Sequence, residues 1–135
     1  MEKTLTLHMD SSLTGEVVLS ARYRLTEQEA TLIYAQSLDP QEKKKIPEVL
    51  HIKLDEEGCP KQVTLKRPGS GLNLTFVAGE MHEVMYPTPA GSIKASLLTQ
   101  KVDGLFTQNK IKLRLVYELQ LGDYSEGQVQ LCWEN

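Results

Sequence analysis

The chain has 135 residues, 40% of them hydrophobic and 24% charged, and a net charge of −3. This balance excludes a disordered polyampholyte, and it offers no basic surplus to hold nucleic acid or an anionic membrane surface. A chain of this length buries roughly two-thirds of its unfolded surface, so residues 1–135 are expected to form one domain that needs no disulfide.

No apolar run approaches the ~20 residues that span a bilayer. The opening stretch, MEKTLTLHMD, carries no apolar signal core, so a cytoplasmic protein is expected. Cys59 and Cys132 form no C-x-x-C pair, and that compartment favours two free thiols.

From the N-terminus, residues 3–10 alternate, with Leu5, Leu7 and Met9 on one face and Thr4, Thr6, His8 and Asp10 on the other. The alternation resumes at Glu16, placing Val17, Leu19, Ala21, Tyr23 and Leu25 inward and Ser20, Arg22 and Arg24 outward. Period-2 patterns of this kind mark half-buried strands of an antiparallel sheet. Thr26 and Glu29 spell a capping box that could open a short helix. The β-rich composition after it favours a tight turn into a strand from Ala30 to Gln36, with Leu32 and Tyr34 on one face.

Asp39 to Pro47, with three consecutive lysines, reads as a solvated connection. Strands follow at Val49–Asp55, Gln62–Arg67, Leu72–Val77 and Met81–Tyr86, separated by Gly- and Pro-containing turns. Tyr86-Pro87-Thr88-Pro89-Ala90-Gly91 is a firm corner, two prolines with fixed φ followed by a permissive glycine. It feeds a long strand over 91–102 with Ile93, Ala95, Leu97 and Thr99 on one face. The last hairpin turns Ile111, Leu113, Leu115, Tyr117, Leu119 and Leu121 inward and Lys110, Lys112 and Arg114 outward. It reverses at Gly122-Asp123 and returns through Val129, Leu131 and Trp133. The sum is an all-β chain of about eight to ten strands, which predicts an antiparallel sandwich or closed barrel.

The chain lacks G-x-S-x-G, H-E-x-x-H and P-loop patterns, so no enzyme and no cofactor are expected. His8, His51 and His82 are dispersed without ligand spacing, which argues against a metal site. Two residues break pattern usefully. Arg67 continues the inward phase of Val63 and Leu65, and Thr99 continues that of Ala95 and Leu97. An inward arginine needs a carboxylate, carbonyls or a ligand's anion, and Glu83 and Glu118 are the carboxylates weighed as partners. The basic stripe Lys110, Lys112, Arg114 has no interleaved aromatics and reads as a soluble face that discourages edge pairing.

Arg67 with glycines just after it, Phe76-x-x-Gly79, Tyr86-x-Thr88-Pro89-x-Gly91, Thr99 and Tyr117-Glu118-Leu119 resemble the YwiB-like family of small bacterial proteins. Where that family often has acidic residues shortly after the tyrosine equivalent to Tyr34, this chain has Ala35-Gln36-Ser37. The resemblance implies a calycin-type, lipocalin-like β-barrel and a hairpin turn at Thr26–Ala30, and it brings no biochemical function with it. Barrels of this size hold one small ligand or are filled by their own side chains. The expectation is therefore a non-catalytic binding module for a small, partly apolar ligand, lined by Arg67, Tyr86, Thr99 and Tyr117, with an anionic group on the ligand suiting the guanidinium. The alternative is an interaction protein with a filled core and a binding surface.

Overall fold

Strict alternation leaves a strand with one wet and one dry face, and such strands are stable only when their dry faces are laid against each other. A computed structural model describes residues 2–11, 15–36, 46–69, 71–88, 90–121 and 124–134. The strands are β1 (Glu2–Ser11), β2 (Gly15–Leu25), β3 (Glu29–Gln36), β4 (Ile46–Leu54), β5 (Pro60–Arg67), β6 (Leu72–Phe76), β7 (Met81–Thr88), β8 (Gly91–Phe106), β9 (Lys110–Leu121) and β10 (Tyr124–Glu134). There is no helix among the described residues, and so none long and apolar enough to cross a membrane.

All ten strands join one antiparallel sheet in the order β6-β5-β4-β3-β2-β1-β10-β9-β8-β7. Each strand is hydrogen-bonded to its neighbour in sequence except across β6 and β7, while the first and last strands pair in the middle, His8 opposite Cys132 and Ser11 opposite Val129. The sheet curls until β5 and β6 come against β8, making a nearly closed barrel. The turn between β4 and β5 helps to fasten it. Asp55 Oδ1 accepts the Glu57 and Cys59 amides at 2.8 and 3.0 Å, and the Gly58 carbonyl accepts the Phe106 amide at 2.9 Å.

Thr26 does not open a helix. Its hydroxyl accepts the Glu29 amide at 3.1 Å while its own amide donates to the Glu29 carbonyl at 2.8 Å, closing the hairpin between β2 and β3. β4 begins at Ile46 rather than Val49, so two predicted loop residues, Ile46 and Pro47, pair with Gln36 and Ala35. The rest of the predicted connection, the 122–123 reversal and Pro89 of the corner lie outside the described residues.

The core is the inward phase of the strands: Leu5, Leu7 and Met9; Ala21 and Tyr23; Leu32; Leu50, Ile52 and Leu54; Val63; Leu97; and the β9 row Ile111, Leu113, Leu115, Leu119. Each such aliphatic side chain contributes about 1.5–3 kcal/mol by leaving water. Ile93 corrects one expectation. Its face is the predicted one, opposite Tyr86, but residues 91–94 at the end of the hairpin run past the core and Ile93 is left exposed.

Candidate functional site

In an antiparallel sheet, residues opposite one another share a face, so a row of side chains can be followed across several strands. One such row is polar. Ala21 on β2 faces Tyr34 on β3, and Tyr34 faces Glu48 on β4. The β4–β5 register, Val49 opposite Lys66, brings Glu48 beside Arg67, which in turn faces Leu72 on β6. Tyr34, Glu48 and Arg67 thus stand side by side on the inner wall. They belong to the barrel end where β3 stops, β4 starts, β5 stops and β6 starts.

Arg67 Nη2 donates to Glu48 Oε2 at 3.2 Å, with the carboxylate side chain 2% and the guanidinium side chain 12% exposed. The sequence left Arg67 with Glu83 and Glu118 as partners, and both are elsewhere: Glu83 pairs with Lys94 and Glu118 accepts from Gln100. Glu48 is the residue that sequence reading missed. A signal for it was present, because Glu48 lies in the same inward phase as Leu50, Ile52 and Leu54, two residues before the first of them.

Tyr34 is 5% exposed. Burial first, and then the Glu48 carboxylate, push its hydroxyl well above the usual tyrosine range, against a weaker opposing pull from Arg67. It is a protonated donor at any physiological pH.

This row closes one side of a cavity of about 70 Å³. Its apolar walls include Leu50, Leu72, Leu74, Phe76, Leu115 and Leu119, and Tyr86 and Tyr117 also reach it. Tyr117 tilts over Phe76 with ring centroids 5.0 Å apart. The structure therefore brings three of the four predicted residues, Arg67, Tyr86 and Tyr117, to one cavity. Thr99 is not on its lining. It pairs with Tyr117 across β8 and β9 but is fully covered, with its backbone capped by the turn before β7 through Gly79 and Glu80. No partner for its hydroxyl is present among the described residues. His8 and His51 face solvent, and His82 lies 3.3 Å from Glu80. Among the described residues no three His, Cys, Asp or Glu side chains come close enough to share a metal.

Comparison with known proteins agrees with this architecture. A family model described as a domain of unknown function, DUF1934, matches residues 3–132. The crystal structure of the ywiB protein from Bacillus subtilis superposes with a TM-score of 0.71 at 18% identity, covering 99% of this chain and 92% of that one. No curated protein matches the chain.

Proposed function

The chain belongs to the DUF1934 family, and we propose that this member is a non-catalytic binding module that takes a small, partly apolar molecule at the polar end of its lumen. The observation that supports this reading is the row Tyr34, Glu48, Arg67 set into an otherwise apolar wall. Convergent polar groups within an apolar concavity are the common form of a small-molecule site. A buried carboxylate and guanidinium are costly to desolvate, and well-packed apolar residues in their place are often as stable or more so. Their presence favours recognition over stability as the reason for the row.

The volume limits what enters. About 70 Å³ is room for only a handful of waters, far below the few hundred Å³ that swallow a whole ligand. The cavity then takes a terminal group, while the rest of the molecule leaves through the barrel end.

The same small volume favours a second reading, a barrel filled by its own side chains that works through its outer surface. Heteronuclear NMR against a set of small amphiphiles separates the two. Binding in the lumen shifts Phe76, Tyr86 and Tyr117 resonances together. If every responsive resonance maps to outward positions such as Lys112, Arg114 or Val18, the surface reading replaces it.

A further inference from the structure

The outer face of the β2-β1-β10-β9 part of the sheet belongs neither to the lumen nor to the core. We infer that it seats a second copy of this chain, the two copies related by a two-fold axis that runs along the strands. The registers lay two outward rows across these four strands. One runs Glu16, Asp10, Gln130, Arg114 and the next runs Val18, His8, Cys132, Lys112. All eight residues are exposed, Val18 among them at 61%, and they border a hollow of about 660 Å³.

The charges of these rows are sorted by strand, with the acids on β2 and β1, the bases on β9, and Gln130 and Cys132 of β10 between them. Among the described residues none of Asp10, Glu16, Lys112 and Arg114 has an ion pair. Asp103, which faces Arg114 from β8, pairs with Lys101 at 3.4 Å. A row that reads acid, acid, neutral, base is complementary to its own reverse. A two-fold axis parallel to the strands lays Glu16 over the second copy's Arg114 and Asp10 over its Gln130, and each contact occurs twice. Val18 then meets the apolar stem of the second copy's Lys112, and the two Cys132 thiols lie on either side of the axis. The strands of the two copies stay nearly aligned, as in other packings of sheet on sheet. The other two-fold in this plane, across the strands, sets Glu16 against Glu16 and Arg114 against Arg114, which repel. A different protein would have to bring a matching row, whereas a second copy carries it by construction.

Exposed ion pairs are individually weak and are screened by salt, so the association is weak and ionic-strength dependent. The test is sedimentation velocity on the whole chain at low salt, with protein up to about 1 mM, where even a complex of Kd about 1 mM is populated. A dimer that dissociates in about 0.5 M salt is expected. Glu16→Arg and Arg114→Glu should each raise the dimer Kd tenfold or more, since each places like charges opposite one another. Mixing the two variants should restore association, because every reversed charge then meets its opposite. In a Cys59→Ser background, a short bismaleimide should join two copies through Cys132. A chain that stays monomeric overturns the inference, as does a dimer untouched by either reversal. Single variants that weaken the dimer but do not recover on mixing overturn the axis and with it the inference. A dimer that is not joined through Cys132 forms on another face and overturns it too.

Discussion

Glu48 and Arg67 are the residues where stability and function pull in different directions. Arg67→Met removes the guanidinium 3.2 Å from a carboxylate that is 2% exposed, and removing one member of such a pair costs about 3–5 kcal/mol. Urea unfolding should show that loss. The double variant Arg67→Met with Glu48→Leu should recover most of it, because both charges are then gone. A single variant as stable as the parent would mean that Glu48 is not held by Arg67. Tyr34 and Tyr23 make a second test, with pH as the variable. Burial raises both above the ordinary value of 10.0, so the unfolded chain releases these protons first. Their contribution is fully present below about pH 10 and is lost as the pH climbs beyond it. Urea midpoints should fall through that alkaline range, and Tyr34→Phe should flatten the fall.

Among the elements, β8 carries the largest share of the architecture. It pairs with β7 over Gly91–Leu98 and with β9 over Ser96–Phe106, with an irregularity between Thr99 and Lys101 that bends it. Two of its glycines differ in kind. Gly91 has φ +114 with open space around it, so Gly91→Val is penalised by backbone conformation alone, about 1–3 kcal/mol. Gly104 has φ +153, and a Cβ there would lie 2.0 Å from the Lys112 carbonyl oxygen on β9. Backbone cannot rotate away as a side chain can, so Gly104→Ala should cost about 3 kcal/mol or more and loosen the β8–β9 ladder. Thermal unfolding and amide exchange along β9 would measure both. Equal effects of the two substitutions would show that the close approach at Gly104 is relieved at no cost.

At the scale of the whole molecule, the two interrupted places in the sheet order are informative. β6 and β7 follow each other in the chain yet are not hydrogen-bonded, whereas β1 and β10, the chain's extremes, are. Lys3 Nζ sits 4.4 Å from the centre of the Trp133 ring, so the ends of these strands meet. A circular permutant that joins Glu134 to Lys3 through a short linker and opens at Ala78 should therefore fold to the same barrel. It breaks the one sequence-adjacent pair that contributes no ladder. Circular dichroism and a single cooperative unfolding transition would establish it. A permutant that stays unfolded would show that the 77–80 turn, which donates Gly79 N to the Thr99 carbonyl at 2.8 Å, is needed to close the barrel.

Much of this was legible in the chain because strand alternation is a local property. The period-2 pattern in residues 3–10, 16–25 and 110–120 identifies the strands and their inward faces, and those faces are the buried or half-buried ones. It also placed Arg67 and Tyr117 indoors from two strands far apart in sequence. Alternation does not say how far along a strand the cover extends, so Ile93 was expected to be buried and Thr99 to face a cavity. Nor does it say which strands become neighbours beyond the hairpins. The pairing of β1 with β10, and the curl that sets β5 and β6 against β8, depend on contacts between residues more than a hundred positions apart or between strands that share no ladder among the described residues. Glu48 belongs to both classes. Its inward phase was written in the chain beside Leu50 and Ile52. That it neutralises Arg67, and that Tyr34 flanks it on the other side, followed only from the registers of three strands laid together, because cross-strand neighbours are set by pairing and not by sequence distance.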